Sequence, residues 1–128
     1  MDQRPDPAGD LPAEGTEPPD ELVAEDLVVG DGDEATPGST VTVHYVGVGW
    51  SSREEFDASW GGQPFTFQLG TGTVIPGWDQ GVEGMREGGR RRLVIPAELA
   101  YGDRGVNGVI APGETLVFDV DLLDVQHQ

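Results

Sequence analysis

Apolar residues in this chain fall into short runs separated by clusters of Gly, Pro and Asp, the pattern of strands joined by turns. Leu22 to Val29 predicts a first strand, which the turn Gly30-Asp31-Gly32-Asp33 ends. In Thr40 to Val48, Val41, Val43 and Tyr45 alternate onto one face while Thr42 and His44 take the other, predicting a half-buried antiparallel strand. A polar loop follows, and then Phe65, Phe67 and Leu69 alternate in a further strand that stops at Gly70-Thr71-Gly72. Over Pro76 to Met85 the period changes: Trp78, Val82 and Met85 stand at i, i+4 and i+7, so a short helix is predicted despite Gly81 and Gly84. Gly88-Gly89 turns the chain into a strand from Arg90 to Ile95, closed by Pro96. The last strand, Thr115 to Val125, sets Leu116, Phe118, Val120 and Leu122 inward against Asp119 and Asp121 outward. Strands dominate and one helix is available to cover them, so the predicted class is α+β with a mostly antiparallel sheet.

Composition divides the 128 residues unevenly. Residues 1–20 carry five of the ten prolines and six acids with almost nothing large and apolar, too little to offset ordering entropy, and they predict a disordered acidic, Pro-rich tail ahead of a domain over 21–128. Such a tail could solubilise the chain or dock a basic partner. The net charge of −17 opposes a phosphate backbone or an anionic membrane as partner. Much of that charge is local, because residues 1–34 hold 12 of the 24 acids against Arg4 alone. With no cysteine, disulfides, thiolate metal sites and cysteine nucleophiles are excluded. Met1 to Pro19 contains no apolar run of signal or membrane-spanning type, and a cytoplasmic location is the default expectation.

Familiar catalytic arrangements fail one by one. His44 sits on a strand and His127 beside the carboxyl end; neither belongs to a metal-spaced cluster, and His44 reads as a hydrogen-bonded strand residue. Gly70-Thr71-Gly72-Thr73 lacks the Lys and Ser/Thr that complete a phosphate cradle. Arg90-Arg91-Arg92 alternates faces on a strand and is expected to pair with surface carboxylates. Among Glu54, Glu55 and Asp57, Asp57 differs in that Phe56 precedes it and Ser59 follows, a setting able to draw its carboxylate toward an apolar site. Aromatic residues remain. Tyr45, Phe56, Phe65, Phe67, Trp78, Tyr101 and Phe118 suit either a core or an apolar pocket, and periodicity alone favours core.

The motifs Val43-His44-Tyr45, Phe56-Asp57-Ala58-Ser59, Pro64-Phe65-Thr66-Phe67, Val74-Ile75-Pro76-Gly77-Trp78, Leu99-Ala100-Tyr101-Gly102 and Leu116-Val117-Phe118-Asp119-Val120 occur in that order. Together they resemble the FK506-binding protein (FKBP) family of peptidyl-prolyl cis/trans isomerases, over about Leu22 to Val125. The resemblance implies a twisted antiparallel sheet of about five strands wrapped around one short helix, with a pocket between them. It implies Trp78 as the pocket floor, Tyr45, Phe65, Val74, Ile75 and Phe118 as walls, Phe56 and Asp57 on one side, and Tyr101, Val109 and Ile110 on the other side and its overhanging loop. The Ile75 N–H and Tyr101 hydroxyl are implied donors to bound carbonyl groups, which makes Asp57, Tyr101, Trp78, Ile75 and Phe118 the candidate catalytic set.

Between Tyr45 and Phe56 the chain is one residue longer than in the smallest members of the family, Val106-Asn107 stands where some relatives have His-Pro, and Trp60 lies in a loop where polar residues are frequent. The span from Tyr101 to Phe118 has no room for the inserted chaperone domain some bacterial relatives carry. The resemblance implies proline-containing peptides and proteins as substrates and macrolides of the FK506/rapamycin type as ligands; no cofactor and no metal is expected, and a monomer is expected because nothing in the sequence suggests an obligate dimer. Two other readings stay open: a module that holds proline segments without catalysis, and a general folding chaperone.

Overall fold

The computed structural model describes residues 4–127. Six strands and one helix follow in the order β1 (Val23–Val28), β2 (Thr40–Gly49), β3 (Glu55–Ala58), β4 (Phe65–Gln68), α1 (Pro76–Val82), β5 (Arg90–Ile95) and β6 (Leu116–Gln126). All pairings are antiparallel. The sheet runs β1-β5-β6-β2-β3, with β4 also on β2 beside β3. The expected α+β architecture is present, with one more strand than the expected five.

That extra strand, β3, lies in the stretch read as polar loop. Its Glu55 and Asp57 alternate with Phe56 and Ala58, but four residues are too few for the alternation to stand out beside Glu54. The helix starts at the expected Pro76, whose fixed φ suits a first helical position. It ends at Val82 rather than Met85 because the chain turns at Gly84, where φ is +90°. Met85 is nevertheless buried with Trp78 and Val82 in the core. The glycines inside α1 let it lie close on β5: a Cβ on Gly77 would stand 2.4 Å from Ile95 Cγ2, and one on Gly81 2.7 Å from Leu93 Cδ2.

The inner face of the sheet holds Val41, Val43, Phe67, Leu93, Ile95, Leu116, Phe118, Val120 and Leu122 around Trp78, Val82 and Met85. The outer face is covered as well, which corrects two expectations. Asp119 and Asp121, expected in solvent, are 0% and 1% exposed. Arg92 donates to both oxygens of Asp119 (Nε–Oδ1 2.7 Å, Nη2–Oδ2 2.8 Å), and Arg90 grips Asp121 the same way (2.6 and 2.9 Å). These are buried, bidentate pairs rather than surface ones, and the carboxylates hold both guanidinium groups firmly protonated, above the ordinary arginine value. Arg91, on the opposite face, reaches Asp26 and the carbonyls of Gly81 and Glu83 at the end of α1.

What covers the outer face is the segment expected to be a disordered tail, of which residues 1–3 lie outside the described part. Pro7–Asp10 form one 3-10 turn, begun by Asp6, whose carboxylate accepts the Gly9 N–H. Ala8 and Leu11 pack on a second apolar cluster of Val48, Trp50, Val94 and Val117. Asp10 accepts a bond from Arg92, Pro12 O one from Arg53, and Thr16 O one from Trp50 Nε1. Few apolar residues suffice, because the sheet supplies the other half of the interface.

Candidate functional site

Trp78 is the first large residue of α1, and the turn of the helix aims it at the inner face of β2 and β6. Four rings approach its indole. Tyr45 and Phe118 stand edge-on at centroid distances of 4.9 Å and 5.3 Å, and Phe67 and Phe65 lie at 5.6 Å and 6.0 Å. Such edge-to-face contacts set the positive rim of one ring against the negative face of another. Phe56, brought in by β3, meets Phe118 edge-on at 5.5 Å. That contact exists because β2 has glycine at position 47, where a Cβ would lie 2.6 Å from Phe118 and 2.8 Å from Phe56.

Above the indole opens a cavity of about 530 Å³, lined by Tyr45, Phe56, Asp57, Phe65, Thr73, Val74, Ile75, Trp78, Tyr101 and Phe118. Nine of the eleven residues named from the sequence are among them. The other two, Val109 and Ile110, line a groove of about 740 Å³ that adjoins the cavity across Phe56. Ile110 is buried and pairs with Val106, closing a small hairpin loop, while Val109 at its tip is exposed. Trp78 is only 4% exposed, whereas Phe65 and Tyr101 at the rim are 39% and 41% exposed, so the floor is deep and the walls reach solvent.

Polar groups are few. Tyr45 Oη donates to Asp57 Oδ2 at 2.8 Å, and the Ala58 N–H donates to Asp57 Oδ1 at 2.9 Å, which fixes the carboxylate at the cavity edge. Burial pushes the Tyr45 phenol well above its ordinary value, and the bond to Asp57 pushes it further the same way, so it stays a donor. The Trp78 Nε1–H is buried with no acceptor among the described residues. His44 proves hydrogen-bonded as expected, its Nδ1 2.9 Å from Ser59 Oγ, on the far side of the sheet. No group of three or more His, Cys, Asp or Glu with metal-binding geometry occurs among the described residues.

Sequence reasoning missed two contributors. Thr73 lines the cavity from the turn after β4. Asp79, in the first turns of α1, accepts the Gly70 and Gly72 N–H groups at 2.8 and 3.0 Å and so fixes the turn that delivers Val74 and Ile75. Its signal was available: a carboxylate early in a helix, shortly after a Gly-Thr-Gly turn rich in unpaired donors.

Comparison with known proteins gives one answer. Residues 32–123 match the family described as FKBP-type peptidyl-prolyl cis-trans isomerase. A FK506-binding protein of Streptomyces anulatus is 61% identical over 121 residues, covering 93% of this chain and 96% of that one. The peptidyl-prolyl cis-trans isomerase FPR2 of Saccharomyces cerevisiae is 56% identical over 93 residues, 72% of this chain and 69% of that one. Among solved structures, FkpA from Escherichia coli superposes with a TM-score of 0.75 at 45% identity, over 83% of this chain and 48% of that one. An aromatic cavity between one helix and an antiparallel sheet, in a chain so closely related, makes this protein a member of the FKBP-type peptidyl-prolyl cis-trans isomerase family.

Proposed function

We propose that the cavity above Trp78 is where this isomerase turns X–Pro bonds, and that residues 21–128 form the catalytic domain. The observation that carries the reading is the single open cavity shared by Tyr45, Trp78, Phe118, Ile75, Asp57 and Tyr101. Amide resonance gives the C–N bond a rotational barrier of ~18–20 kcal/mol. That resonance places negative charge on oxygen and positive charge on nitrogen, and water stabilises the separation. Twisting the bond abolishes it. An apolar enclosure therefore disfavours the planar ground state relative to the twisted one, and its shape can favour the latter.

In this reading the prolyl ring rests on the Trp78 indole, between Tyr45, Phe65 and Phe118. The Ile75 N–H and the Tyr101 hydroxyl, which engage no hydrogen-bond partner among the described residues, donate to substrate carbonyls in this reading. Asp57, oriented by Tyr45, orients the substrate chain from the opposite wall. No proton transfer and no covalent intermediate is required. The clients are proline-containing proteins whose folding waits on isomerisation, uncatalysed exchange taking on the order of tens to hundreds of seconds. Macrolides of the FK506 type would occupy the same cavity, as the names of the relatives suggest. We further propose a monomer that acts in the cytoplasm; no helix among the described residues is long and apolar enough to cross a membrane.

The test is kcat/KM on an X–Pro peptide for the wild type, Trp78→Ala and Phe118→Ala. Folded variants should lose about tenfold or more, since both truncations remove contacts made to the twisted bond. Wild-type turnover in both would end the assignment. Peptide binding without accelerated exchange in the wild type would instead favour a module that only holds proline segments.

A further inference from the structure

The loop that carries Val109 and Ile110, lining the groove beside the cavity, is fastened by a carboxylate. Glu114, just after that loop, accepts from Ser51 Oγ at 2.8 Å with each oxygen, from the Ser51 N–H at 3.3 Å and from the Ser52 N–H at 3.4 Å. Ser51 and Ser52 belong to the turn between β2 and β3, which leads straight into Phe56 and Asp57. The Trp50 N–H adds a bond to Thr115 O at 2.8 Å. On the loop side, the Gly113 N–H bonds Gly102 O at 2.9 Å, so the stretch carrying Val109 and Ile110 is closed at its base. Glu114 thus joins the two walls that face each other across the adjoining groove.

Two further features are organised around this carboxylate. A Cβ on Gly49 would lie 2.7 Å from Glu114 Oε2, so β2 has the one residue that leaves the carboxylate room. Arg53, the one non-glycine residue with positive φ (62°) among those described, holds the same turn by donating to Trp50 O and Pro12 O. A left-handed arginine is an uncommon conformation, and its retention here marks a turn whose shape is fixed by surrounding bonds.

We infer that Glu114 is a positioning residue for prolyl isomerisation: it holds the Val109–Ile110 loop against the Phe56–Asp57 wall, so that the substrate meets a preformed cleft. The inference rests on the pocket reading above. A wall that touches planar and twisted substrate alike acts on binding, so its loss raises KM while leaving kcat nearly unchanged.

The experiment measures kcat and KM separately on an Ala-Leu-Pro-Phe tetrapeptide, together with Tm, for a small set of variants. Glu114→Ala should raise KM about tenfold with kcat within about twofold, the scale of losing charge-assisted hydrogen bonds. Glu114→Gln, which keeps an acceptor for Ser51, should restore KM to within about threefold of wild type. Ser51→Ala should raise KM by itself yet add little to Glu114→Ala, because the two act through one contact. Glu87 is the control, a carboxylate that accepts the Val125 and Asp33 N–H groups far from the cavity. Glu87→Ala should lower Tm and leave KM alone. An unchanged KM in Glu114→Ala, or an equal KM rise in Glu87→Ala, overturns the inference; should Glu114→Ala not fold, an unchanged KM in Ser51→Ala does so. Failure of the pocket itself is distinguishable, since it would show as wild-type kinetics in Trp78→Ala.

Discussion

Replacing Arg92 by Met tests the corrected picture of the outer sheet face. The Arg92 side chain is 12% exposed and that of Asp119 0%, and the two share two bonds of 2.7 and 2.8 Å. Met keeps most of the apolar stem and removes the guanidinium, leaving the Asp119 carboxylate buried without its bidentate partner. Breaking a buried pair from one side costs about 3–5 kcal/mol, far above the ~0–1 kcal/mol of an exposed pair. At about 4 °C per kcal/mol for a chain of this size, Tm should fall by about 12–20 °C. Urea unfolding followed by tryptophan fluorescence at pH 7 measures the loss directly, with an unchanged m-value showing that both end states are preserved. Replacing both partners, Arg92→Met with Asp119→Leu, should recover most of the loss by removing both charges. A cost below about 1 kcal/mol for Arg92→Met alone would refute the argument, because it would place the pair in effective contact with water.

Further consequences follow from other contacts. The chain has two tyrosines, so in Tyr101→Phe the phenolate absorbance reports Tyr45 alone; with its folded value raised by burial and the Asp57 bond, ionisation should come at higher pH than in the unfolded chain, and stability should fall as pH climbs past the unfolded value of about 10. Ionisation near pH 10 in the folded variant would contradict the burial and the Asp57 bond. Gly47→Ala should part Phe56 from Phe118, lowering kcat/KM about tenfold and stability by about 1–3 kcal/mol, read by peptide assay and urea melt. Deleting residues 1–20 should cost roughly 1–3 kcal/mol by uncovering the Val48, Trp50, Val94 and Val117 cluster, while kcat/KM stays within about twofold.

Period and punctuation locate elements better than they locate environments. Arg90–Ile95 is read with the bounds observed for β5, because a glycine pair and a proline bracket it, and α1 begins at the expected proline. β6 shows the limit. Alternation separates Phe118 and Val120 from Asp119 and Asp121, but it says nothing about whether a second segment covers the polar side. The cover comes from residues whose composition argues against order, and it lies too far along the chain for any local window to connect them. The same limit applies to the site. Trp78 is as buried as a core residue and yet lines an opening, so no periodicity could have distinguished the two roles; the ordered motifs of a family were needed to do so. Glu114 was invisible for another reason: its partners, Ser51 and Ser52, are about sixty residues away and of types that occur in any loop.

The three indoles occupy three separate settings. Trp50 lies beneath the amino-terminal segment, bonded to Thr16 O. Trp60 stands between the His44 ring and the Arg90 guanidinium on the outside of the sheet. Trp78 looks into the cavity from below. Single-tryptophan versions of the chain would therefore carry their own dyes: one glowing in response to release of the leading segment, one quenched or freed by charge on the back of the molecule, and one that changes colour when a guest enters.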